Sequence, residues 1–151
     1  MSTQEIAQKL FQHCQNHTET EALETLYSED AVSVEPMTMD GSSPVSEGKA
    51  AIAAKHDWWN ANFEVHSGEV EGPFVNGDNF SLIFEIDATD KNSGQRWKAK
   101  EIALYETDGS KIVRESFFMA PMGYRYRNGH NAPNAGALSY KDGLFFVKTA
   151  R

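Results

Sequence analysis

Apolar residues along the chain keep two periods, helical up to about residue 63 and alternating after it. From Thr3 to about His17, Ile6, Leu10 and Cys14 recur with Ala7 and Phe11 beside them, which predicts an amphipathic helix capped by Thr3. A second helix begins around Thr18-Glu19-Thr20 and carries Ala22, Leu23, Leu26 and Tyr27. In SEDAVSVEP the pattern changes to a short extended piece, Ala31 to Glu35, and the ring of Pro36 biases Glu35 away from helical angles. Glu35 thus stands at a fixed boundary, where a side chain can be aimed. Residues 37–46, MTMDGSSPVS, read as loop. Ser46-Glu47-Gly48 opens a third helix, on which Ile52, His56, Trp59 and Phe63 share one face.

From Glu64 onward strands and turns follow one another. Asn76-Gly77-Asp78 separates strands at roughly 65–75 and 79–89, and in the latter Phe80, Leu82, Phe84, Ile86 and Ala88 form one face. Lys91-Asn92-Ser93-Gly94 turns the chain into RWKAKEIALYETDGSKIVRESFFM, which Thr107-Asp108-Gly109-Ser110 divides into strands at 95–106 and 111–119. The expectation is an α+β fold: three N-terminal helices covering the concave side of a strongly curved, mainly antiparallel sheet and enclosing a cone-shaped pocket.

The last hairpin carries the candidate chemistry. Trp97, Ala99, Glu101, Ala103 and Tyr105 share one face of its first strand, and Val113, Glu115, Phe117 and Met119 share one face of its second. Each face is apolar with one acid in the middle. A buried carboxylate is costly unless paired or neutralised, so two of them suggest a lined cavity. With Glu35 as a third acid and Trp59, Trp97 and Phe117 as walls, desolvation and repulsion would keep one carboxyl protonated beside an ionised one. That pair is a general acid next to a general base, suited to proton shuttling beside a carbonyl without a cofactor. The competing reading has Glu101 and Glu115 paired with Lys98, Lys100 or Arg114. His56 is either a satisfied core histidine or a further member of the site. His13 and His17 lie four apart on a helix, but no helical acid completes a metal site, and none is expected. The sequence contains no glycine-rich phosphate loop, paired-cysteine zinc pattern or GxSxG elbow.

Composition narrows this further. At 151 residues the chain is most simply one domain, and no apolar run reaches the length of a membrane span. The single cysteine excludes an internal disulfide and suits a reducing cytoplasm. The net charge of −8 is uneven: residues 1–119 hold nine Lys/Arg against 21 Asp/Glu, and residues 120–151 hold five against one. An acidic body argues against nucleic acid as a partner. The basic extension, with Asp142-Gly143 between SYK and LFFV as a hairpin signal, reads as an arm that docks on that body. Ile102, Leu104, Ile112 and Phe118 fall on the face opposite the acids, which predicts a homodimer through the sheet.

LYSEDAVSVEP, EGKAAI at the head of the third helix, and LYETDGSKIVRESFF resemble, in that order, the nuclear transport factor 2-like superfamily and its SnoaL-like branch. The resemblance covers about residues 3–119 and implies a cystatin-like cone. In the ketosteroid isomerases of this superfamily the catalytic acid precedes a proline after the second helix, a place that Glu35 holds here. The protonated acid of the oxyanion hole falls on Glu101, its tyrosine on Phe11, and a supporting tyrosine on His56. Phe11 has no hydroxyl, so the resemblance does not extend to steroid isomerisation. SnoaL-type polyketide cyclases line the same pocket with an acid–base aspartate, a role open to Glu101 or Glu115. The resulting expectation is a small apolar ligand held by Phe11, Trp59, Phe63, Trp97, Tyr105 and Phe117. Glu35, Glu101, Glu115 and His56 would then act as a cofactor-free isomerase, cyclase or lyase. The alternative is a non-catalytic binding or dimerisation module.

Overall fold

The computed structural model describes residues 1–38 and 41–120. Three helices come first: α1 (Thr3–Asn16), α2 (Glu19–Leu26) and, after two strands, α3 (Lys49–Asn62). The strands are β1 (Tyr27–Val34), β2 (Val45–Glu47), β3 (Phe63–Asn76), β4 (Asn79–Asp90), β5 (Arg96–Thr107) and β6 (Ile112–Met119). They form one curved sheet in the order β2-β1-β6-β5-β4-β3. The α+β cone expected from the sequence is present. One pairing differs from the expected meander: β1 runs parallel to β6, while the other neighbours are antiparallel.

Local chemistry explains most boundaries. Ser2, not Thr3, caps α1: its hydroxyl accepts from Glu5 N while the Glu5 carboxylate accepts from Ser2 N, a reciprocal capping box. Thr3 is buried and shares a 2.8 Å hydroxyl contact with Thr107, tying the start of α1 to the end of β5. His17 ends α1 in the left-handed region at φ 57°. Gly48, with φ 87°, turns the chain into α3, and its N–H donates to the Ala31 carbonyl. Phe63, expected on the helical stripe, is instead the first residue of β3.

The helices lie on the concave side, α1 against β3 and β4 and α3 against β1, β2 and β3. Ile6, Leu10, Leu23, Leu26 and Ile52 meet Phe80, Leu82, Trp97 and Ile112 there. Full burial of each such side chain stabilises by about 1.5–3 kcal/mol. Strand alternation alone puts Ile112 on the outer face and Val113 on the inner one, and the structure corrects this. The β5–β6 register shifts between Glu106 and Thr107, so Ile112 turns inward and Val113 is only partly buried. At the tip of that hairpin Asp108 accepts from the N–H groups of Ser110 and Lys111, which holds its carboxyl below the usual aspartate range. The expected arm at 120–151 falls almost wholly on residues 121–151, outside the described residues.

Candidate functional site

The site grows from strand alternation on β1, β5 and β6. Glu115 lies opposite Tyr105 on β5 and Ser33 on β1, so these three side chains share the concave face. Phe117 lies opposite Ala103, and Glu101 opposite Met119, one step further along that face. Glu101 and Glu115 are both buried, at 2% and 3% exposure. The sequence reading placed both acids inward, and the structure does the same. The cations of the competing reading are on the other side of the sheet: Lys98 faces Asp87, Lys100 faces Glu85, and Arg114 faces Glu106.

Glu115 is held by hydroxyls from one neighbouring strand. Tyr27 donates to Oε2 at 2.5 Å and Ser33 donates to Oε1 at 2.6 Å. Both carboxyl oxygens are thereby engaged by hydroxyls. Burial, and then the Glu115 charge, push the Tyr27 phenol well above its ordinary range, so it remains a donor. Burial likewise raises Tyr105, with Glu115 and Glu101 among the charges that add to it.

The cation serving this cluster is Lys55 of α3. Its Nζ donates to Ser33 Oγ and to Glu35 Oε1 at 2.7 Å, lies 3.7 Å from Glu115 Oε1, and sits 4.9 Å above the Phe117 ring. The result is a continuous polar chain, Tyr27–Glu115–Ser33–Lys55–Glu35, along one end of the concave face. Glu35 follows the last residue of β1, where its backbone N–H donates to the Pro44 carbonyl. Its carboxyl is thereby aimed at Lys55, and it is nine-tenths buried.

The sequence reading missed Lys55, Ser33 and Tyr27. Lys55 was findable. It stands three residues after Ile52 and four before Trp59, both buried, so it occupies the apolar stripe of α3 where a surface lysine has no place. Ser33 alternates with buried Ala31, a weak signal. Tyr27 read as the end of a helix, and nothing local marked it as a donor to residue 115.

The remaining candidates divide. Trp59, Phe63 and Trp97 form one aromatic cluster: Trp59 stacks on Phe63 at 4.3 Å, and Trp97 meets both edge-on at 6.1 and 6.0 Å. Tyr105 stacks on Phe80 at 4.7 Å, and Phe11 packs partly buried against the core. His56, one residue past Lys55 and so turned about a quarter of the helix away, lines a recess of ≈ 220 Å³ with His17, Glu19, Thr20, Trp59, Asn60 and Val65. None of the three candidate glutamates lines that recess. Among the described residues no group of three or more His, Cys, Asp or Glu is arranged to hold a metal. No described helix is long and apolar enough to cross a membrane.

Comparison with known proteins accords with this fold. The profile of the SnoaL-like domain family matches residues 1–119. The fold is shared with a putative SnoaL-like polyketide cyclase from Mesorhizobium loti, 40% identical over 78% of this chain and 99% of that one, with a TM-score of 0.73. It is also shared with a putative isomerase from Bacillus subtilis, at 24% identity, 80% and 91% coverage and a TM-score of 0.64. An NTF2-like protein from Burkholderia thailandensis, 12% identical over 80% of this chain and 92% of that one, superposes with a TM-score of 0.69. No curated protein sequence matches the chain.

Proposed function

The chain belongs to the SnoaL-like domain family, and from that premise we propose that it binds a small apolar ligand on the concave face and moves a proton within it. No cofactor takes part. The observation that carries this reading is the buried polar chain from Tyr27 to Glu35, set against the Phe117 ring. Glu35 is the general base, at the outer end of the chain and salt-bridged to Lys55. Glu115, with both oxygens already engaged by hydroxyls, anchors the network. The Mesorhizobium protein, named for polyketide cyclase chemistry, favours proton transfer beside a carbonyl, as in ring closure or the related isomerisation. A cytoplasmic location forms part of the reading, supported by the single cysteine, which is buried on α1.

The test is deuterium exchange. A panel of small cyclic ketones incubated with the chelator-treated protein in D₂O should exchange α-protons faster than in buffer, by the roughly 10²–10⁴-fold typical of a positioned base. Glu35→Gln should abolish the excess. If no ketone exchanges while several bind, the second reading stands: a binding module, which Phe11 favours because it offers no hydroxyl where the ketosteroid isomerases have one.

Pairing through the outer face belongs to the same proposal. Phe118 and Ile102 are register partners, 53% and 47% exposed, and Ile83 continues their row. The ion pairs Lys100–Glu85 and Arg114–Glu106 flank that band on opposite sides. A two-fold axis lying in the interface and crossing β5 at right angles between Ile102 and Leu104 would set Lys100 over Glu106 of the second copy. Light scattering should report a dimer in the wild type and a monomer in Ile102→Glu. A wild-type monomer at micromolar concentration would end the idea.

A further inference from the structure

We propose that residues 120–124 dock along the first part of β5, pairing with residues 100–96 as a continuation of β6, and so wall the concave face beside Trp97. Residues 121–124 lie beyond the region that the family profile matches.

β5 outruns its neighbour. It pairs with β4 from Arg96 to Glu106, whereas β6 ends at Met119, opposite Glu101. β1, on the far side of β6, makes its last pair with it at Val34 and Ser116. Arg96–Lys100 therefore lie beyond the ends of both strands, although Trp97 and Ala99 among them are buried. A strand that extends past its neighbour presents a row of N–H and C=O groups, which is a template for more chain. The nearest candidate is the chain leaving Met119, at the mouth of this notch.

Hydrogen bonds at the two ends of β5 fix which residues face the notch. Asp90 N–H donates to the Gln95 carbonyl, and Thr107 N–H donates to the Asp78 carbonyl. Both bonds link the β4 side to odd-numbered residues at the ends of β5, and the β4–β5 ladder has no register shift between them. Hydrogen-bonded pairs alternate with the others in an antiparallel ladder. Odd residues of β5 thus point their backbone groups at β4, and Arg96, Lys98 and Lys100 point theirs the other way, toward the notch. Carrying the Glu101–Met119 register forward sets Lys100 against Ala120, Lys98 against Met122 and Arg96 against Tyr124.

The residues between are Pro121 and Gly123, whose backbone groups would face away from β5. Proline has no N–H to give, and within sheets it is confined to places such as the solvent side of an edge strand. Pro121 stands at such a place, and a shift of one residue would put it where a ladder bond is needed. The same alternation turns Pro121 and Gly123 inward, with Glu115 and Phe117, beside Ala99 and Trp97. That inward turn makes the segment part of the concave wall.

Amide hydrogen exchange on the full chain, read residue by residue by NMR, tests the pairing. In the wild type the Lys98 and Lys100 amides should exchange slowly, as donors to residues 122 and 120. Met122→Pro removes an N–H at a paired position and should speed exchange at Lys98 by about tenfold or more. Pro121→Ala should leave both amides slow. Slow amides on β4 in every variant separate this local loss from unfolding. Fast exchange at Lys98 and Lys100 in the wild type, or no change at Lys98 in Met122→Pro, overturns the proposal. Cross-linking tests it without relying on that variant to fold. Residues 99 and 121 form a pair without ladder bonds, about 4.5 Å apart at Cα, which a disulfide can bridge. In a Cys14→Ala background, Ala99→Cys with Pro121→Cys should form a disulfide within one chain on mild oxidation. Ala99→Cys with Met122→Cys should not, since those side chains leave the strands on opposite faces. A disulfide in both variants, in neither, or only between two copies overturns the proposal.

Discussion

Removing the Tyr27 hydroxyl is the sharpest way to test whether the buried network is energetically real. In Tyr27→Phe the ring keeps its packing and only the donor to Glu115 Oε2 is lost. Both ends are buried, at 6% and 3% exposure, so water does not readily replace it. A hydrogen bond to a charged acceptor contributes about 1.5–3 kcal/mol. Tyr27→Phe should therefore destabilise by about 2 kcal/mol, a fall in Tm of roughly 6–10 °C for a domain of this size. Loss of packing would give the same sign, so the deciding measurement is a double-mutant cycle with Glu115→Gln. That second substitution keeps the shape and leaves a carbonyl able to accept from a hydroxyl, but it removes the charge. Urea unfolding followed by tryptophan fluorescence, on wild type, both single variants and the double, gives the coupling free energy. The charge-assisted bond predicts coupling of about 1 kcal/mol or more, with the double variant less destabilised than the sum of the singles. Additive behaviour, within about 0.5 kcal/mol, would refute the reasoning.

Two further outcomes concern pH. Tyr27 and Tyr105 are raised well above 10.0, first by burial, so the protonated phenol is favoured in the folded state. Their contribution is complete below about pH 10 and is lost as pH rises beyond it. Absorbance at 295 nm should show them ionising only with alkaline unfolding, and Tyr27→Phe should flatten the loss of stability above about pH 10; a normal titration in the native protein would contradict the burial. On the outer face, the Arg96 side chain donates twice to Asp87 at 2.8 Å and holds that carboxyl below its ordinary value of 3.8. A lowered carboxyl stabilises above the unfolded value and loses its effect as pH falls through the folded one. Arg96→Met should thus be less stable than wild type at about pH 7 by urea unfolding, and the gap should close near about pH 3. A gap that stays constant over that range would assign the effect to packing.

What the sequence determined by itself was whatever depends on near neighbours. The change of period near residue 63 located the helices and the long strands, and alternation placed Glu101 and Glu115 inward, because side-chain direction in a strand is set by parity alone. Pro36 marked the end at which Glu35 is aimed. Parity also produced the error at Ile112 and Val113, since one register shift at Glu106–Thr107 reverses side-chain direction beside it until the ladder resumes. The partners of the acids could not be read in the same way. The donors to Glu115 come from residues 88 and 82 positions away, and its cation comes from a helix that packs against β1 rather than from the strands beside it. The parallel β1–β6 pairing brings Tyr27 and Ser33 to Glu115, and it forms between segments with no turn to announce it. His56 and Lys55 are adjacent in sequence, yet one residue of helical rotation sends the first to a separate recess and the second into the network. Tertiary structure decided those choices because charge pairing in a buried site depends on distance through space, which the order of residues does not encode.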